Sequence, residues 1–248
     1  MDFIYGIRTV IEAIKNGKEI DKVLIKKGLQ GELFQELAAL IKKLDIPCQY
    51  VPIQKIEKVT RKNHQGVVAF VSAIEYGNIE NIIPDLYDHG KNPFILILDG
   101  ITDIRNFGAI VRTAECANVH AIVVPHKGSA QINADAIKTS SGALHIVPVC
   151  RSKSLRNTIE FLKNSGLQIV SASEKGDSTM QQQALEYHEI DYNKPTAIIL
   201  GAEDTGVSKD CLKKSDFIAK IPVRGTISSL NVSVAAGVLI YEAIKQRG

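Results

Sequence analysis

What this sequence lacks narrows the field first. The four cysteines, Cys48, Cys116, Cys150 and Cys211, are scattered with no CxxC pair, which argues against structural zinc and against a disulfide framework. No apolar run approaches the roughly 18–20 residues of a membrane span. The first five residues carry no basic segment leading into an apolar core, so no secretion signal is expected and the cytoplasm is the default compartment. No GxGxxG occurs, and no glycine-rich loop ends in GK[ST]. A dinucleotide-dependent oxidoreductase and a mononucleotide P-loop enzyme are both disfavoured. None of the six histidines sits in HExxH or another ligand spacing, so no metal is expected. Ser229 lies outside any GxSxG elbow, and no hydrolytic triad assembles.

What is present is ordinary in bulk and unusual in placement. The 248 residues are enough for one large domain or two modest ones, each with its own core. The net charge is +3, and all of it belongs to the first third. Residues 1–76 hold 12 Lys and Arg against 9 Asp and Glu, and the remainder balances. That placement leans toward RNA or another polyanion at the N-terminal end.

The early chain alternates helix and strand. Ile7, Val10, Ile11 and Ile14 predict a helix over 6–16, and Lys22 to Ile25 a short strand. Leu33, Leu37, Leu40 and Leu44 predict one apolar face of a second helix. Gln49 to Ile53 reads as extended, Gln54 to Thr60 as a short helix, and Gly66 to Ile74 as a strong strand. Together they predict a compact three-layer α/β module over 1–75. Residues 76–93, broken by Gly77, Asn78, Pro84, Gly90 and Pro93, read as a linker. From Phe94 to Gly248 strands and helices alternate again: strands at 94–98, 121–124, 146–149, 168–171, 197–200 and 217–221, helices at 106–117, 134–139, 155–163 and 231–245. Continuous β-branched runs predict a parallel sheet covered on both faces, with ligands beyond the carboxyl ends of its strands.

At those ends lie three constellations. In the first, Asp99 to Glu115, Asn106 is placed to cap a helix, Gly108 allows close backbone approach, and Arg112 follows less than two turns later. The second is Leu200-Gly-Ala-Glu-Asp-Thr-Gly206, where Glu203 after a buried strand is suited to orienting a ligand or an arginine. The third runs from Ile221-Pro222 through a small polar loop to Ser229-Leu230-Asn231, with Ser and Asn as capping types before an apolar helix. Taken singly, each also reads as a capped helix, a surface arginine or an acid at a helix start. A fourth segment, Arg61-Lys62-Asn63-His64, is a basic loop before a strand, suited either to RNA contact or to stabilising its own turn.

All three blocks occur together and in order, and in this the chain resembles the SpoU (TrmH) family of RNA ribose 2′-O-methyltransferases within the SPOUT superfamily. Asn106 and Arg112 match the first family motif, Gly201-Ala-Glu203 the second, Ile221-Pro and Ser229-Leu-Asn231 the third. Asn63-His-Gln-Gly-Val67 is similar to the family's N-terminal substrate-binding domain. The resemblance implies a C-terminal α/β trefoil-knot domain over 94–248 and a small L30e-like RNA-binding domain over 1–75. It implies S-adenosylmethionine bound by Leu200, Gly201, Ile221, Ser229 and Leu230, and catalysis by Asn106, Arg112, Glu203, Ser229 and Asn231. RNA contact falls to Arg61, Lys62, Asn63 and His64. It further implies a homodimer with its active site at the subunit interface, acting on a guanosine in 23S rRNA. Transfer RNA is the alternative substrate, and a non-catalytic RNA-binding dimer the competing function.

Overall fold

The computed structural model describes residues 3–173 and 183–248. The chain forms two compact units, one reaching to Glu75 and including Gln131–Ala134, the other comprising Tyr76–Ala130 and Asp135–Gly248.

The first unit holds strands β1 (Phe3–Tyr5), β2 (Ile20–Lys26), β3 (Cys48–Val51) and β4 (Val67–Val71), with helices α1 (Ile7–Lys15), α2 (Glu32–Leu44) and α3 (Ile53–Glu57). The sheet order is β1-β4-β2-β3. Helix α1 buries Ile7, Val10, Ile11 and Ile14, the four positions its periodicity singles out. Its first turn is capped from afar, since Gln65 Oε1 accepts the Ile7 N–H at 3.2 Å. Helices α1 and α2 pack on one sheet face, while α3 covers Leu24, Val51 and Val68 on the other through Ile56. The predicted face of α2 is partly wrong: Leu37 and Ile41 are buried, whereas Leu33 and Leu44 are exposed in its first and last turns.

Residues 76–93, expected as a linker, contain helix α4 (Ile79–Asp88). Asn78 caps it by accepting the Glu80 N–H at 2.9 Å, and Ile79, Ile83 and Leu86 enter the core of the second unit. The apolar spacing outweighs Pro84, which sits inside the helix. Strands β5 (Phe94–Asp99), β6 (Ala121–Pro125), β7 (Val149–Ser152), β8 (Gln168–Ala172), β9 (Gln183–Glu186), β10 (Thr196–Gly201) and β11 (Phe217–Lys220) then form one sheet. Its order is β7-β6-β5-β10-β8-β11-β9, and every pairing is parallel. β7 starts three residues later than predicted. Ile146 is 67% exposed and precedes the strand, and β7 pairs Val149 with Ile122.

Helices α5 (Ile104–Cys116), α6 (Ala134–Thr139), α7 (Leu155–Asn164), α8 (Lys209–Lys214) and α9 (Val232–Arg247) complete the unit. Residues of α4, α7 and α8 share a core with Ile95, Ile97, Ala197 and Ile199. The alternate residues, Leu96, Leu98, Ile198 and Leu200, are also buried and face the other side by the strand's period of two. There α9 packs against β10 and α5. Its C-terminal end is pinned by Arg247, whose guanidinium donates to the carbonyls of Tyr192, Asn92, Pro93 and Lys194 at 2.7–3.2 Å. No helix among the described residues is long and apolar enough to cross a membrane.

Candidate active site

β10 ends at Gly201, and the chain turns on itself at once. The Ala202 carbonyl accepts the Gly206 N–H at 2.8 Å, and Gly206 takes a left-handed φ of 69°, which glycine adopts without steric cost. The return brings the backbone across Gly201, where a Cβ would lie 2.0 Å from the Gly206 carbonyl carbon and 2.1 Å from the Val207 nitrogen. Only glycine fits. One residue on, the Ser208 N–H donates to Asp99 Oδ2 at 2.8 Å, tying the loop to the end of β5.

The helix that follows β5 is capped by Asp103, which accepts the N–H groups of Arg105 and Asn106 at 2.8 and 2.9 Å. Asn106 is therefore in the first turn, not at the cap as the sequence suggests, and its side chain is released for other work. Gly108 lets α5 sit against α6, since a Cβ there would lie 2.6 Å from the Thr139 Cβ. Asn231 does cap α9, accepting the Ser233 N–H at 2.9 Å.

The three constellations meet at that cap. Asn231 Nδ2 donates to Glu203 Oε1 at 2.6 Å and to Asn106 Oδ1 at 3.1 Å, while its Oδ1 accepts from Ser233 N and Oγ. Both acceptors and both donors demand this orientation of the amide, since a carboxylate only accepts and a backbone N–H only donates. The Asn106 amide nitrogen and the second Glu203 oxygen are left without a hydrogen-bond partner among the described residues. An amide donor and an anionic acceptor thus stand side by side.

Next to this node a cavity of about 630 Å³ opens over the carboxyl ends of β8, β10 and β11, a size usual for small-molecule sites. Leu200, Gly201, Glu203, Ile221, Ser229 and Leu230, all singled out from sequence, line it. Ala172, Ser173, Asp204, Thr205 and Lys209 line it too. Sequence reading missed these five, though Asp204 and Thr205 belong to the loop that held the second motif and Lys209 opens the helix after it. After β11, Ile221, Ser228, Ser229 and Leu230 line the same cavity as Ala172 at the end of β8 and Leu200 at the end of β10, and α9 then packs against α5.

Arg112 is not among the cavity's lining residues. It is exposed on α5 and has no side-chain partner among the described residues. Six residues of helix turn it through about 240° relative to Asn106, so the two cannot face the same way. In the other unit, Arg61, Lys62 and Asn63 are exposed, and His64 is half-buried. His64 Nδ1 accepts the Gly66 N–H at 3.0 Å, so the turn-stabilising role is present. Lys62 Nζ lies 5.9 Å from the Tyr5 ring centroid. Of the cysteines, Cys150 and Cys211 are buried and unpaired. Burial pushes their thiols up to about 12 and about 11, which makes them inert packing groups.

Comparison with known proteins matches residues 93–241 to the SpoU rRNA Methylase family and residues 3–77 to an RNA 2′-O ribose methyltransferase substrate-binding domain. The chain is 34% identical over 246 residues to YacO of Bacillus subtilis (strain 168), of the TrmH tRNA/rRNA methyltransferase family, covering 99% of this chain and 96% of that protein. A TrmH family protein of Staphylococcus saprophyticus is 35% identical, with 98% and 95% covered. Among solved structures, an AdoMet-bound rRNA methyltransferase from Sinorhizobium meliloti shares the fold at TM-score 0.61 and 24% identity, over 98% of this chain and 86% of that one. The A. aeolicus TrmH/SpoU tRNA modifying enzyme aligns at TM-score 0.56 and 30% identity, over 68% and 83%.

Proposed function

This chain belongs to the SpoU rRNA methylase family, and from that premise we propose that it methylates a ribose 2′-hydroxyl of a guanosine in 23S rRNA. It is an RNA methyltransferase, and its methyl donor is S-adenosylmethionine. The observation that carries the site assignment is the Asn231 node, which joins Asn106 and Glu203 at the rim of a cavity of matching size.

The residues present fit the donor. Leu200, Ile221 and Leu230 supply apolar walls, and Gly201, by carrying no side chain, lets the Gly206–Val207 backbone close in to form another wall. Asp204 and Glu203 offer anionic oxygens for a ligand bearing an ammonium and a sulfonium, and Lys209 a cation for its carboxylate. When bound, the donor supplies an electrophilic methyl group on a positively charged sulfur. The protein's part is to align one oxygen and ease the loss of its proton to solvent water. Asn106 presents amide hydrogens to the acceptor ribose, and Glu203, held by Asn231, fixes that presentation. Arg112 reaches the site from a second copy of the chain. A guanidinium offers hydrogen-bond donors and no acceptor, so Arg112 polarises the hydroxyl and grips the neighbouring phosphate rather than acting as the base. The N-terminal unit, with the charge excess and Arg61, Lys62, Asn63 and His64, binds the RNA. The setting is cytoplasmic.

Two measurements test this. Calorimetric titration should find S-adenosylmethionine binding in the micromolar range, and no binding would reduce the chain to an RNA-binding module. Ribose methylations mapped on RNA from cells with and without the gene should differ at a 23S rRNA guanosine. A difference confined to tRNA would replace the substrate but keep the chemistry.

A further inference from the structure

Helix α5 carries a second guanidinium that the mechanism leaves unused. Arg105 lies seven residues before Arg112 in the same helix, nearly two whole turns, so the two side chains fall on one stripe. Both are exposed, and neither guanidinium has a hydrogen bond or ion pair among the described residues. Arg105 is also poorly placed electrostatically. It is the second residue of the helix, where the partial positive charge of the N-terminus disfavours a cation. Asp103, two residues back, spends its Oδ1 on the N–H groups of Arg105 and Asn106 and does not pair with the guanidinium.

A cation held against the helix dipole with no internal partner is set for an anion from outside the chain. Its position names the anion, because it shares a stripe of α5 with Arg112, the residue assigned above to the phosphate beside the methylated ribose. Resting on the RNA-methyltransferase reading above, we infer that Arg105 binds a backbone phosphate of the RNA near the methylated nucleotide. Seven residues span about 10.5 Å of helix axis, well beyond the roughly 3.4 Å axial spacing of phosphates on one strand. Arg105 and Arg112 therefore hold different phosphates. Both lie on one stripe, so a strand gripped by Arg112 passes Arg105 whichever copy's cavity receives the ribose. Arg105 is a substrate-binding residue, and its loss weakens the grip without touching the chemistry.

The experiment uses the full chain with Arg105→Ala and Arg105→Lys. The probes are a 23S rRNA transcript and pooled tRNA transcripts, followed by tritium transfer from labelled S-adenosylmethionine and by RNA binding across a salt series. Arg105→Ala should raise KM for the methylated RNA roughly tenfold, and the slope of log affinity against log salt should shrink by about 0.7–0.9, one phosphate contact. kcat should stay within about twofold, with S-adenosylmethionine affinity unchanged. Arg105→Lys should recover most of the RNA affinity, since a phosphate accepts a point charge. An unchanged KM and salt slope in Arg105→Ala, with the wild type active, overturns the inference and leaves the function standing. A drop in donor affinity with an unchanged slope also overturns it, in favour of a structural role. A wild-type chain that neither binds the donor nor methylates either RNA overturns both.

Discussion

The two glycines of the 201–206 loop are needed for unrelated reasons, and the difference is measurable. Gly206 has a left-handed backbone but open space around its Cα, so Gly206→Ala meets only the conformational penalty, about 1 kcal/mol. Gly201 has ordinary backbone angles, yet an added methyl would collide with the backbone of Gly206 and Val207. Backbone cannot swing aside as a flexible side chain can. Gly201→Ala should therefore cost about 2–3 kcal/mol or more of stability and lower S-adenosylmethionine affinity at least roughly tenfold, because the displaced loop forms the cavity wall. Thermal unfolding and calorimetric titration of both variants check this. Equal effects from the two substitutions would mean that close approach is not what Gly201 serves.

At the level of elements, β5 and β6 are clasped at their start by one histidine. His120 donates its N–H to the Phe94 carbonyl at 2.9 Å, and its Nδ1 accepts the Phe94 N–H at 3.0 Å. Burial first, then the charges of Lys91 and Arg247, hold this imidazole below its ordinary value of 6.5. Protonating Nδ1 would also set two donors against each other. The unfolded chain takes up the proton as pH falls through about 6.5, while the folded chain resists, so His120's contribution is intact above that pH and shrinks below it. The melting temperature should fall between roughly pH 7 and pH 5, and His120→Asn, which keeps an acceptor without titrating, should flatten that part of the curve. The carboxylates whose values are depressed, Glu160 and Asp191 among them, act below this window. The strands themselves were legible because a parallel sheet buried on both faces needs unbroken apolar runs, as in Phe94 to Leu98. Helix α4 was not, because Gly77, Pro84 and Gly90 are loud local signals and the Ile79, Ile83, Leu86 spacing a quiet one. β1, β9 and α8 were missed for being short and, in the last two, largely polar. The site residues could be named from the sequence, since their chemistry and order carry a pattern. Their contacts could not: Asn106 and Asn231 are 125 positions apart, and no periodicity reports which ends of a sheet meet. That Arg112 turns away from the amide it accompanies was there to be read, since six residues of a predicted helix separate the two.

For the whole molecule, that last finding and the surface of α9 both bear on the proposed pairing of two copies. Helix α9 buries Val232, Ala236, Leu239, Ile240 and Ala243, yet Val234 and Tyr241 remain 52% and 54% exposed on another side. A helix apolar on more than one face is suited to a partner beyond its own core, and the proposed second copy of this chain would also deliver Arg112 to a cavity that otherwise lacks it. In the proposed dimer each active site is built from two chains: Asn106, Glu203 and Asn231 from one, Arg112 from the other. The division makes a sharp prediction for mixed variants. Arg112→Ala and Asn231→Ala should each be inactive as pure proteins. Mixed after dissociation, half the dimers pair one variant with the other, and one of the two sites in such a pair draws an intact Asn231 and an intact Arg112 from different chains. Activity should return to about a quarter of wild type. If Arg112 served the cavity of its own chain, every site in the mixture would lack one residue or the other, and none would return. Tritium transfer into the RNA substrate, with sedimentation to establish the dimer, distinguishes the two outcomes. Tyr241→Glu in either chain should prevent the recovery by keeping the copies apart.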